Sequence, residues 1–180
     1  MQPKTVIIPF NYGNFIKTQE IIWAYANRRF VKIYSFFALL ALILLVVNLI
    51  EDQRAQTAVS LGIVYGYAFY ILMGWAGFYE RKVKFMKKRK DCAKRFQDQS
   101  LECTFTFSED ALEYKDNEKL FRLSWSLFTP CAVFKDTLLL IAKDSGGVML
   151  TISRDEVGAD DYNEISALFD SKIGFLKAKG

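Results

Sequence analysis

The chain has no histidine, and its 180 residues include only three cysteines and three prolines. Each scarcity excludes something. Without histidine, general acid–base work at neutral pH would fall to a carboxylate, lysine or cysteine whose pKa is moved far from its usual value. Cys92, Cys103 and Cys131 lie far apart with no C-x-x-C spacing, and thiols in a cytoplasmic domain stay reduced; no structural disulfide is expected. The sequence also lacks a G-x-S-x-G, a P-loop and a G-x-G-x-x-G. The paired carboxylates Glu109-Asp110, Asp155-Glu156 and Asp160-Asp161 fall at expected turns and at an expected helix start, where capping and solubility account for them better than metal binding. The expectation is a protein that is not an enzyme and carries no cofactor or metal.

Charge is missing over two long stretches. Residues 33–50 run for 18 residues without a charged side chain, and residues 55–79 for 25. A bilayer core about 30 Å thick needs roughly 20 apolar helical residues. A water-soluble helix of that length would keep a polar stripe, and neither run has one. The first run begins too late and lacks the cleavage pattern of a signal peptide. Only Glu51, Asp52, Gln53 and Arg54 separate the two, so the spans are expected to be antiparallel neighbours with both termini on one side.

Basic residues name that side. Residues 1–32 hold five bases against one acid, residues 81–95 nine against one, and the connecting loop one against two. By the positive-inside rule both termini are cytoplasmic. The basic segment begins with Arg81, Lys82, Lys84 and Lys87 and continues with Lys88, Arg89, Lys90, Lys94 and Arg95. Each base near an anionic leaflet contributes on the order of 1 kcal/mol, so these side chains are expected against lipid headgroups. No aromatic interleaving or nucleic-acid motif accompanies them, and no nucleic-acid partner is expected. Within the spans no side chain is ionisable, which argues against transport. Gly62 and Gly66 form a G-x-x-x-G, joined by Gly74 and Gly77; small residues let helices approach closely, with the first span as the preferred partner and a homodimer as the other. Trp75, Phe78 and Tyr79 suit an interfacial aromatic belt.

The remaining segments read as follows. Residues 4–10 suit a short strand that Pro9 limits to an edge or an end. Residues 15–32 have helical spacing through Phe15 and Ile22, with no Gly or Pro before the first span. Val83, Met86, Ala93 and Phe96 continue that spacing through the basic segment, which points to a helical stalk in place of a linker. From Leu101 the period becomes two, and strands are expected at 101–107, 111–115, 120–127, 131–134, 137–142 and 147–152. An amphipathic helix over 159–177 follows, capped by Asp160 or Asp161, with Ile165, Leu168, Phe169 and Ile173 on its apolar face. The organisation is an N-terminal strand and helix (1–32), a two-helix transmembrane hairpin (33–80), a basic juxtamembrane helix (81–100) and a small α+β domain (101–180).

Strands closed by a final helix resemble the C-terminal half of a pleckstrin-homology-like (PH-like) barrel. With the hairpin, the whole chain resembles the YcxB-like family of bacterial membrane proteins. The residues that carry this are Phe105-Thr106-Phe107-Ser108-Glu109-Asp110-Ala111-Leu112-Glu113, similar to the family's strand–turn–strand opening, then Leu123-Ser124-Trp125-Ser126-Leu127 and Phe134-Lys135-Asp136-Thr137-Leu138-Leu139-Leu140. Ile152-Ser153-Arg154 departs from it by lacking the proline that often ends the last strand. The resemblance implies a two-span protein of the bacterial inner membrane with a PH-like antiparallel β domain.

Residues 101–180 carry nine bases and fourteen acids, 9 − 14 = −5. An anionic leaflet repels such a domain, so its expected ligand is a protein, reached through a strand edge or a groove beside the last helix. Asp155, Glu156, Asp160 and Asp161 are the candidate contacts. The leading expectation is a membrane-held scaffold for a protein partner. The alternatives are an immunity protein that neutralises a competitor's toxin, and an accessory subunit of a larger membrane complex.

Overall fold

The computed structural model describes residues 3–50, 58–117 and 119–176. The chain divides into two units, one made of Met1–Tyr25 with Lys88–Gly180 and the other of Ala26–Lys87.

In the first unit, strand β1 (Lys4–Pro9) pairs antiparallel with β2 (Glu102–Phe107), Lys4 opposite Phe107 and Pro9 opposite Glu102. β3 (Ala111–Lys115) and β4 (Leu120–Ser124) complete a sheet in the order β1-β2-β3-β4. Pro9 thus ends an edge strand, where its missing N–H breaks no ladder. The period-two pattern from Leu101 works as expected in β2. Phe105 and Phe107 turn inward, and the β2–β3 turn is held by Ser108, whose hydroxyl donates to the Ala111 carbonyl at 2.7 Å. β4 is shorter than expected: a 3-10 turn over Trp125–Leu127 replaces its last residues, with the Ser124 hydroxyl accepting from the Ser126 N–H. The turn drops the Trp125 ring onto Phe169, centroids 5.8 Å apart, and its indole N–H donates to the Ser108 carbonyl at 3.2 Å.

A second sheet has the order β5 (Ala132–Phe134), β6 (Thr137–Ile141), β7 (Val148–Ser153). Lys135 and Asp136 both have positive φ, 51° and 55°, the conformation a two-residue hairpin turn demands. All five residues of β6 are buried. Sequence periodicity missed a short helix, α3 (Arg154–Val157), opened by a capping box in which Ser153 and Glu156 satisfy each other's backbone N–H groups. α4 (Ala159–Lys172) follows, with Tyr162, Ile165, Leu168 and Phe169 buried. Gly158 occupies its N-cap and makes no side-chain cap bond, which corrects the expected cap at Asp160 or Asp161. The helix stops before Gly174, whose φ of 68° lets the chain reverse. The Cys131 N–H then donates to the Gly174 carbonyl at 2.8 Å, tying the tail to the start of β5.

Phe107, Leu112, Leu138, Leu140, Ile152 and Phe169, all nearly inaccessible, fill the space between sheets and helix. Each such side chain contributes about 1.5–3 kcal/mol through burial. α1 (Tyr12–Ile50) enters this unit at its N-terminal end, where Ile21 packs with Ala132, Leu139 and Ile141.

The second unit holds the rest of α1 and most of α2 (Ala58–Asp98). Here Phe30 stacks on Phe78 with centroids 4.9 Å apart, and Tyr67 donates to the Phe37 carbonyl at 3.3 Å. These contacts descend α2 as they ascend α1, so the helices are antiparallel in this unit. Many of their other apolar side chains are exposed: Phe36 is 64% accessible and Leu72 67%. Among the described residues one helix, α1, is long and apolar enough to cross a membrane. The second expected span begins at residues 55–57, and these, like the loop 51–54, lie outside the described residues.

Candidate functional site

The basic segment is helical throughout. Arg81 to Arg95 all lie on α2, with no break in the segment. The Arg81 guanidinium sits over the Phe30 ring at 5.8 Å, and Lys84 pairs with Glu80 at 2.5 Å. Lys82 is half-buried; Lys87, Lys88, Arg89, Lys90, Lys94 and Arg95 are exposed.

The glycines differ among themselves. A Cβ at Gly74 would clash with the Tyr34 ring, which would have to shift to admit it. At Gly62, Gly66 and Gly77 no described atom comes within 4 Å of such a Cβ. Trp75 packs edge-on to Phe78 at 5.7 Å, while Tyr79 is 68% exposed.

The four candidate acids are engaged mainly within their own unit. Asp155 pairs with Lys17. Asp161 pairs with Lys4 at 2.8 Å, and Glu164 pairs with the same lysine. The hydrogen bond from Lys4 to Asp161 holds its ammonium above the usual lysine pKa. The Glu156 carboxylate accepts from the Ser153 N–H at 3.2 Å, and burial raises its pKa above that of an ordinary carboxyl. Asp160 is exposed.

A cavity of about 410 Å³ opens inside the first unit. Its walls are apolar: Phe15 and Ile22 of α1, Phe96 of α2, Phe105 of β2, Phe121 of β4 and Leu150 of β7. Polar atoms gather along one side. The Tyr114 hydroxyl donates to Asp116 at 2.9 Å and lies 3.4 Å from the Cys103 sulfur. Asp116 also accepts from the Lys119 N–H at 2.7 Å. Burial pushes the Cys103 thiol upward, and the carboxylates of Asp116 and Glu156 push it the same way. Burial likewise raises Tyr114, with its bonds to Cys103 and Asp116 adding to the effect. Cys131, which lies elsewhere in the core, is pushed up to about 12 by burial, and a thiol held neutral in this way is chemically inert.

Sequence reasoning did not find this cavity. It joins β2, β3, β4 and β7 to α1, elements up to about 130 residues apart in the chain. One signal was present. Thr18 and Gln19 fall between Phe15 and Ile22 on the same helical face, at i+3 and i+4, where an apolar stripe should have no polar residue. Among the described residues no group of three histidine, cysteine or acidic side chains could hold a metal. Comparison with known proteins finds no family, no curated protein and no solved structure that matches this chain.

Proposed function

We propose that the chain is a two-span protein of a bacterial inner membrane whose cytoplasmic PH-like domain holds a protein partner at the membrane face. The exposed apolar surface of α1 supports the first part, since such side chains are stable when lipid replaces water around them. The antiparallel contacts between α1 and α2 and the basic residues of α2 fit a hairpin with both ends inside. A four-stranded and a three-stranded antiparallel sheet with a closing helix support the PH-like reading.

The observation that carries the binding role is β4. It is one of the two edge strands of its sheet, with Leu120 67% and Phe121 47% exposed. Soluble proteins usually shield such an edge with charge, proline or a covering element. An extended segment of a partner can add to it, its backbone paired with β4 and its side chains alternating across the apolar pair. The acidic character of the domain favours a basic partner.

A photo-crosslinking side chain at Leu120, in the full-length protein within its native membrane, tests this. It should give a discrete adduct that weakens when Asp155 and Asp160 are reversed to lysine, while the same probe at Asp144 gives none. Equal adducts from both positions, or no adduct at 120, would rule out the β4 edge as the docking strand.

A further inference from the structure

The cavity of the first unit has the features of a ligand site that the protein-docking edge does not require. Its volume of about 410 Å³ lies within the range of small-molecule sites, roughly 300–1,000 Å³. The cavity is half-open to solvent, so a small molecule can enter it. The walls carry the rings of Phe15, Phe96, Phe105 and Phe121, suited to a flat apolar body.

Two polar side chains point to an occupant. Thr18 and Gln19 are only 6% and 8% exposed, and both line the cavity. Their hydroxyl and amide groups lie on the cavity lining as donors and acceptors that a ligand could use. A threonine and a glutamine on an otherwise apolar helical face suit a ligand with a polar head. The charges beside them set its sign. Asp116 and Glu156 line the cavity with Lys119 as the one cation among the lining residues, and both carboxylates act on Cys103 between them.

We propose that this cavity binds a small amphipathic amine, its apolar body among the phenylalanine rings and its ammonium toward Asp116 and Glu156, with Thr18 and Gln19 completing the hydrogen bonds. Charge-assisted bonds to carboxylates are the strong ones, and an ammonium beside aromatic faces gains a further cation–π attraction. The reverse ligand, with a carboxylate head, would meet like charge at the same place. The site shares Phe121 with β4, but a partner strand would pair with the β4 backbone, whereas the amine occupies the cavity that the Phe121 ring lines.

The test uses full-length protein in detergent micelles, with saturation-transfer NMR and calorimetry against three probes of one shape: tryptamine, indole-3-acetate and 3-methylindole. Tryptamine should bind at least about tenfold more tightly than either of the others. Gln19→Leu, which keeps the size and removes the amide, should weaken tryptamine about tenfold and leave 3-methylindole unchanged. Should Gln19→Leu fail to fold, Thr18→Val serves instead, because it keeps the shape and removes only the hydroxyl; it should weaken tryptamine and spare 3-methylindole. Binding of indole-3-acetate equal to tryptamine, an unchanged tryptamine affinity in the folded variant, or no binding of any probe would overturn the proposal.

Discussion

The two units of this protein treat apolar surface in opposite ways. In the α+β unit Phe107, Leu138, Ile152 and Phe169 are at most 2% exposed. In the helical unit Phe36, Leu42, Phe69 and Leu72 are each more than half exposed, and Ala41 and Ile71 are its buried apolar residues among those described. The same residue types thus form a close-packed core in one place and an outer surface in the other. Hydrophobic burial folds the first unit by removing its side chains from water. On the proposed reading a medium as apolar as its own leucines surrounds the second, and its helices then need only a few close contacts, such as those at Phe30, Tyr34, Gly74 and Phe78.

That contrast can be broken from either side. Phe169→Ala removes a ring that touches Phe107 and Trp125 and should destabilise the α+β unit by about 3–5 kcal/mol. Hydrogen exchange should then speed at the β6 amides while the α1 amides near Leu42 stay protected. Leu42→Arg should do the converse. At 57% exposed, Leu42 has little packing to lose, yet arginine at the centre of a membrane helix costs about 2.5–3.5 kcal/mol on insertion scales. The membrane-bound fraction after carbonate washing should fall, and the β6 amides should stay protected.

A smaller effect separates the glycines of the helical unit. Gly74→Leu drives a side chain into Tyr34 and should destabilise the helix pair by about 1–3 kcal/mol. Gly66→Leu meets open space and should leave that pair intact. If Gly66→Leu alone abolishes a crosslinked homodimer, the open G-x-x-x-G face belongs to a second copy.

The mildest change concerns Glu156. Its folded pKa lies above 4.5, so the folded state holds the proton more tightly than the unfolded chain. Stability therefore falls as pH rises from about 4.5 through the raised value, and is constant above it. Glu156→Gln keeps the capping box and should flatten that slope in thermal melts between pH 4 and 7. An unchanged slope would assign the pH dependence to another carboxyl.

Local pattern went far in this chain because much of its structure is locally determined. Alternation from Leu101 placed the strands, and the absence of breakers through residues 81–97 carried α2 into the basic segment. The failures come from non-local causes. Trp125 keeps the alternation of β4 in sequence but leaves the strand because Phe169, 44 residues later, offers its ring a packing partner. α3 is a four-residue helix too short to show a period. The expected docking acids looked free as letters, but Lys4 and Lys17, from the far end of the chain, pair with two of them. The cavity was the least legible feature. It exists only once β1 pairs with β2, which brings the start of α1 beside the open end of the sheets, and no short motif encodes that pairing.

The central claim is a hairpin with both ends in the cytoplasm, and single-cysteine labelling tests it most directly. In a background without Cys92, Cys103 and Cys131, Gln53→Cys, Lys17→Cys and Ser171→Cys would each be exposed to an impermeant maleimide on intact spheroplasts. The account predicts labelling at position 53 alone, with positions 17 and 171 reacting only after the membrane is opened. Labelling of 17 and 171 from opposite sides, or of all three from the same side, would contradict it.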